Sequence, residues 1–355
     1  MSESNTLGPD AGTQASVALP DDPANPVLVE VTRGPMVESR HRGAVAIVDD
    51  TGTVQAHWGA VDTLVYPRSA IKPLQAIGLI ESGAADAFAL SDAEVALSCA
   101  SHGGEPRHVE TVLAWLDRLG LSAHDLECGA QWPMNADAAH ALARAGVSPG
   151  AEHNNCSGKH TGFLTLASHM GKPTKGYIKS HHAVQQYVMG TLESMCEVDL
   201  SEAPCGIDGC SVPTWALPIG NLALGMAKFG TADRMSDARA DVCRRIATAM
   251  ADEPFMVAGS GRYCTDMLAA TKGKVICKTG AEGVYCAAVP EYGVGVALKC
   301  DDGASRAAEV MLTAVLRKIG VLDGIDPGVL AHLGRPHVHT RNDILVGEIR
   351  PTHAF

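Results

Sequence analysis

The sequence predicts an α+β fold, an antiparallel sheet packed against a helical region. Three observations predict it. Strand-like segments gather at the two ends of the chain, helical segments fill the middle, and neighbouring strands are joined as hairpins rather than through crossover helices. In chain order, residues 44–48 and 54–58 read as two strands linked by Asp49-Asp-Thr-Gly52. Residues 73–80 form a buried helix behind Pro73 that ends near Gly83. Ser91-Asp-Ala-Glu94 is a capping box that opens a helix running to about Cys99. Pro106 starts the next helix, which stops at Gly120, and residues 137–145 form another, closed by Gly146. Asn154-Asn-Cys-Ser-Gly-Lys-His160 reads as a polar turn before an apolar helix at 163–170. Further helices are expected at 181–197, 217–228 and 236–251, with an irregular Gly- and Pro-rich stretch at 204–213. Short segments rich in β-branched residues then follow at 274–278, 284–289 and 294–298, the last two joined by Pro290-Glu-Tyr-Gly293. A helix at 306–319 and an edge strand at 344–349 complete the chain.

Composition narrows the function. The chain has 355 residues, 46% of them hydrophobic, which is ample for a large core. Residues 1–25, rich in Ser, Asp, Pro, Gly and Ala, are expected to be a disordered tail ahead of one domain at 26–355. A net charge of −12 argues against nucleic acid or an anionic membrane surface as partner. No apolar run is long enough to span a membrane, and the N-terminus lacks the basic start and apolar stretch of a signal peptide, so a cytoplasmic location is expected. The eleven cysteines then read as buried thiols or metal ligands rather than disulfides.

Two short motifs propose a chemistry. Ser69 and Lys72 stand three residues apart in Arg68-Ser-Ala-Ile-Lys72, and Lys278-Thr-Gly280 follows about two hundred residues later. These resemble the S-x-x-K and K-T-G elements of active-site serine enzymes that open amides through an acyl-enzyme. Serine is a poor nucleophile near neutral pH, and a lysine beside it can take its proton if burial or a second cation keeps that lysine partly neutral. Pro73 directly after Lys72 disfavours helical angles there, which places Ser69 in a turn leading into the helix. Lys278 reads either as that second cation or as a solvent-facing strand lysine. The glycines of Lys278-Thr-Gly-Ala-Glu-Gly283 permit close backbone approach, and the amides there offer oxyanion donors. Ser101-His-Gly-Gly104 reads either as a helix-ending turn or as a second hydroxyl brought to the site. Cys156-Ser-Gly-Lys159-His160 and Cys205/Cys210 read either as buried structural thiols or as metal ligands, and on residue type alone His160 and Cys205 are the favoured donors. The motif layout also resembles the serine β-lactamase and penicillin-binding folds.

Five segments occur together and in order: 67–76, Ala100-Ser-His-Gly-Gly104, Asn155-Cys-Ser-Gly-Lys-His160, Gly206-Ile-Asp-Gly-Cys210 with Pro213, and Lys278-Thr-Gly-Ala-Glu-Gly283. In this the chain resembles the rhizobial-type, or type II, L-asparaginases from about Val27 to its C-terminus. The resemblance implies hydrolysis of L-asparagine to L-aspartate and ammonia on a serine β-lactamase-like fold, as a homodimer. It implies two Ser–Lys pairs, Ser69 with Lys72 and Ser101 with Lys278. It also implies a zinc ion on Cys156, Lys159 and Cys210 in place of the donors favoured above, with Asp208 and His160 supporting those ligands. Arg68, His160, Asp208 and Gly280 would line the substrate. In the expected mechanism Lys72, kept neutral by Lys278, deprotonates Ser69, which attacks the side-chain amide; Ser101 is the alternative nucleophile or a proton relay. A glutaminase, a β-lactamase or D-Ala-D-Ala peptidase, and a non-catalytic zinc- or ligand-sensing module are the competing readings.

Overall fold

The computed structural model of the chain describes residues 25–355, so the expected tail lies outside the described residues except for Asn25. That residue is tied into the fold: its amide donates to Asp301 (3.0 Å), and its side-chain oxygen accepts from the Ala60 N–H (2.9 Å). Twelve strands follow in chain order: β1 (Val27–Arg33), β2 (Met36–Asp49), β3 (Val54–Trp58), β4 (Leu64–Val65), β5 (Cys205–Ile207), β6 (Pro213–Trp215), β7 (Leu217–Pro218), β8 (Ile276–Thr279), β9 (Val284–Val289), β10 (Val294–Cys300), β11 (His337–His339) and β12 (Leu345–Pro351). Eight of them make one antiparallel sheet in the order β11-β12-β1-β2-β10-β9-β8, with β3 also paired to β2. The α+β class with an antiparallel sheet is therefore as expected. Long β2 ties the sheet together. Its first half, Met36 to Arg42, pairs with β1, and its second half, Gly43 to Asp49, pairs with β10.

The centre of the sheet is covered on both faces. The helix Ile219–Thr231 packs on one face of β10 and Ser305–Ile319 on the other, so Val294-Gly-Val-Ala-Leu-Lys-Cys300 is almost continuously buried instead of alternating. Gly295 makes the closer approach possible. A Cβ there would collide with the backbone of the Ile219–Thr231 helix at Ala223 O and Ala227 N. The same helical side of the sheet carries Asp92–Ser98, Ser157–His169 and Asp237–Asp252, which enclose one continuous apolar core with Leu97, Leu164, Ile246 and Trp115 fully buried. Among the described residues no helix is long and apolar enough to cross a membrane.

Several elements differ from expectation. The C-terminal strand is not an edge: β12 lies between β1 and β11, and β11 is the terminal strand. The expected helix at 73–80 is a 3-10 turn, Arg68–Ile71, followed by two short helices, Lys72–Gln75 and Ile77–Glu81. Lys72 takes helical angles (φ −56°, ψ −34°) despite the proline after it. The polar turn at 154–160 is largely helix, because Ser157–His169 begins at Ser157 and carries Lys159 and His160 in its first turns. The stretch at 204–213 is partly regular, since β5 and β6 pair as a small hairpin with Cys205 opposite Trp215.

Replacing Gly295 by alanine should lower the unfolding free energy by about 1–3 kcal/mol, because the new methyl meets backbone that cannot step aside. A shift of the denaturant midpoint without a change of slope would measure it.

Candidate active site

Four pieces of backbone meet at the end of β8. The 3-10 turn holds Ser69, and the residue before it, Arg68, sits in the left-handed region at φ 51°. A non-glycine residue held there stores strain that the surrounding packing must impose. The chain after β8 packs directly on this turn: a Cβ on Gly280 would lie 2.7 Å from Pro67 O and 3.2 Å from Ala70 N. Only glycine lets the K-T-G and S-x-x-K segments touch. The Gly280 N–H donates to Val284 O (2.7 Å), so that one amide of the segment is already committed.

The third piece follows the helix Asp92–Ser98, which opens with the expected capping box of Ser91 and Glu94. The chain leaves that helix extended, with the Ser101 N–H donating to Val257 O (3.0 Å) and the His102 N–H to Asn155 O (3.1 Å). His102 is a buried brace. Its Nδ1 accepts from the Gly104 N–H (3.1 Å), so its Nε2–H donates to Ser157 Oγ (2.9 Å). That bond ties the Ser101 segment to the fourth piece, the start of Ser157–His169. There Gly158 has no room for a Cβ against Leu97 O.

These pieces place one hydroxyl between two buried amines. Ser101 Oγ is 2.8 Å from Lys278 Nζ and 3.2 Å from Lys72 Nζ, and both lysines are fully buried. Lys278 also donates to Thr279 O (2.8 Å); Lys72 donates to Ala100 O and to Cys156 Sγ (3.1 Å). Burial first, and then the charge of Lys72, push the Lys278 amine down to about 7. The amine poised near neutrality is thus Lys278. Ser69 is half-buried, and its hydroxyl makes no hydrogen bond among the described residues; the structure joins Lys72 to Ser101 rather than to Ser69.

Next to Lys72 lies a sulfur cluster. Lys159 Nζ donates to Cys210 Sγ (3.0 Å), and Cys156 lies against the same sulfur. The hydrogen bond from Cys156, supported by Lys159, pulls the Cys210 thiol down to about 5 against the opposing effect of burial. The same hydrogen bond, together with burial, pushes Cys156 up to about 12. For Lys159 burial favours the neutral amine, but Cys210, Cys156 and Asp208 outweigh it and raise its pKa. Arg68 closes this side, with Nε 2.9 Å and Nη2 2.8 Å from Asp208 Oδ1. Burial would raise the Asp208 carboxyl, yet Lys159 and Arg68 hold it below its ordinary value.

His160 is directed away from this rim. Its Nδ1 meets the Tyr177 hydroxyl (2.7 Å), its Nε2 is buried with no partner among the described residues, and burial holds the ring well below its ordinary pKa. Cys205 stays apart on β5, its thiol directed at Gly206 O (3.7 Å). The donor set that converges is two thiols and an amine, one thiol already disposed to ionise, which suits a thiophilic divalent ion such as zinc. A second group of ligand-type atoms, His41, Cys300 and Asp302, lies within 4.8 Å, but Asp302 already bonds the other two at 2.6 and 3.0 Å. Asn155, within the 155–160 segment, lies against Cys156 but was given no role of its own, and sequence reasoning missed Met134 and Arg262, which continue the rim from it. No local spacing pattern marks them.

Residues 29–351 match the family described as L-asparaginase II. The match spans most of the chain, which makes the protein an amidohydrolase of asparaginase type. The chain is a member of the L-asparaginase II family. No curated protein matches it. Solved structures similar to it include a β-lactamase from Mycobacterium bovis, at 14% identity and a TM-score of 0.38, covering 78% of this chain and 94% of that one. Another is the structure titled Mglu, at 16% identity and a TM-score of 0.36, covering 85% of this chain and 73% of that one.

A Gly280→Ala variant should separate the serine turn from the end of β8 and cost about 100-fold in amide turnover, the scale of a 1 Å misplacement. The far-ultraviolet spectrum should stay native, which would set this loss apart from unfolding.

Proposed function

We propose that the chain is an L-asparaginase of the rhizobial type that hydrolyses the side-chain amide through a serine acyl-enzyme. The observation that carries this reading is the buried hydrogen-bonded chain Lys72–Ser101–Lys278. Lys278, disposed to be neutral, takes a proton through the Ser101 hydroxyl from Lys72. Lys72 then accepts the Ser69 proton as Ser69 Oγ attacks the amide carbon. The proton returns to the leaving nitrogen, ammonia departs, and water cleaves the ester to release aspartate. Ser69 is the attacking oxygen in this reading because it is half-exposed on its strained turn, whereas Ser101 is only 5% exposed. The contact of Ser101 with both amines favours a second reading, in which Ser101 itself attacks and Lys278 is its direct base.

Zinc would be held by Cys156, Lys159 and Cys210, and when bound it would supply a fixed positive charge beside the site. Arg68 and Asp208 position this side of the site, and His160 is held against Tyr177. The sequence resemblance supports a homodimer. Asparagine and glutamine differ by one methylene, which a pocket discriminates by about 1–3 kcal/mol. Glutaminase is therefore the rival activity.

Ammonia release from L-asparagine should exceed that from L-glutamine and should vanish in Ser69→Ala; silence toward both amides in folded, zinc-loaded protein would reject the reading. Mass analysis of acid-quenched enzyme decides between the serines: an adduct that Ser101→Ala still forms belongs to Ser69.

The pH profile follows from Lys278. Its folded-state pKa is depressed, so the amine is protonated below about 7 and neutral above it. Activity should therefore rise as pH climbs through that value. Lys278→Arg keeps the charge at every accessible pH and should remove the rising limb along with most of the activity.

A further inference from the structure

Every cation of the site except one is already committed. Lys72 and Lys278 hold Ser101, Lys159 holds Cys210, and Arg68 is paired with Asp208. Arg262 is different. Its Nη1 lies 3.8 Å from the sulfur of Met134, and it has no carboxylate in ion-pair reach among the described residues.

Its place is fixed by a short, well-anchored loop. Gly259 and Gly261 both take left-handed angles (φ 99° and 65°), and Arg262 then caps the helix Tyr263–Thr271. Ser260 is bound to Glu105 through its N–H (2.8 Å) and its hydroxyl (2.7 Å), and the Thr265 hydroxyl donates to Gly259 O (2.7 Å). The helix leading into this loop, Pro254–Ala258, supplies Val257 O, the acceptor for the Ser101 N–H. The loop is therefore built onto the same segment that positions the central hydroxyl.

A continuous run of contacts connects Arg262 to the site. Met134 sulfur is 3.2 Å from Asn155 Nδ2; Asn155 Oδ1 accepts from Cys156 Sγ (3.0 Å); Cys156 Sγ is 3.1 Å from Lys72 Nζ. Arg262 is also one of the charges that depress Lys278. The acid that feels its charge, Glu309, is bound by the Tyr285 hydroxyl (3.1 Å), and burial biases it toward the neutral form. The half-buried rim thus carries surplus positive charge with a planar two-pronged donor at its edge. A carboxylate matches that donor in charge and shape.

We propose that Arg262 binds the α-carboxylate of the substrate, so that the enzyme selects amides of free α-amino acids. This rests on the amidase reading above. In asparagine the α-carboxylate stands two carbons from the amide carbon, so a single rim cation can hold one end while the lysine–serine chain acts at the other.

The test compares L-asparagine with 3-aminopropanamide, the same amide lacking the α-carboxylate. Arg262→Gln should lower kcat/KM for asparagine about 10- to 100-fold, mostly through KM, the worth of a charged hydrogen bond. Measured well above the Lys278 titration, where that amine is neutral with or without the Arg262 charge, it should leave 3-aminopropanamide within threefold, and Arg262→Lys should recover part of the loss. An unchanged KM for asparagine, or equal losses on both amides, would overturn the proposal. L-Aspartate binding, measured by calorimetry on wild type and Arg262→Gln, separates this proposal from the reading it rests on. Arginine-dependent aspartate binding in a protein that releases no ammonia would keep the α-carboxylate site and reject the amidase.

Discussion

Two lysine amines buried around one serine hydroxyl are the constraint on which this structure turns. Placing like charges side by side away from water is unfavourable, and the protein meets the difficulty in three ways. Lys278 sheds its charge near neutrality. Backbone carbonyls at Ala100 and Thr279 take up amine protons that Ser101 cannot. An ionisable sulfur cluster lies against Lys72 through Cys156. Each compensation comes from a different element. The carbonyls belong to the end of the Asp92–Ser98 helix and to β8, and the sulfur to the cap of Ser157–His169. The site holds its geometry only if those elements are pinned to one another, and Gly280, Gly158 and the His102–Ser157 bond do the pinning.

Cys156 links two chemistries. It touches Lys72 on one side and lies against Cys210 on the other. A change of charge in the sulfur cluster is therefore felt by the hydroxyl chain without any side chain having to move. This gives the proposed zinc a physical route to influence catalysis that needs no contact between metal and substrate, and it keeps Lys159 and Asp208 part of the same electrostatic unit.

Much of the site was legible because its motifs are local. Ser69 with Lys72 and Lys278 with Gly280 each sit within a few residues, so their spacing announces them, whereas Cys156 with Lys159 came only through the family resemblance. What was not legible is how distant motifs connect. Nothing in the sequence says that Lys72 reaches Ser101 in preference to Ser69, or that burial depresses the Lys278 amine; both follow from which side chains the fold brings together. Among the elements, β1 escaped notice because register shifts between Val27 and Val29 and between Val31 and Thr32 break its alternation. The true start of Ser157–His169 was hidden because its cap, Cys156, makes no side-chain capping bond and its flanks are buried nearly all round. Arg262 carries no spacing signature at all.

The sheet ends at β8, and a terminal strand with free backbone groups invites pairing with another chain. Here the strand lies beneath the serine turn and beside the helix Tyr263–Thr271. The residues that shape the candidate site thus also pack on the last two strands at this end of the sheet. A lesion that loosens the serine turn therefore disturbs the packing on the terminal strand as well as the place of the proposed nucleophile.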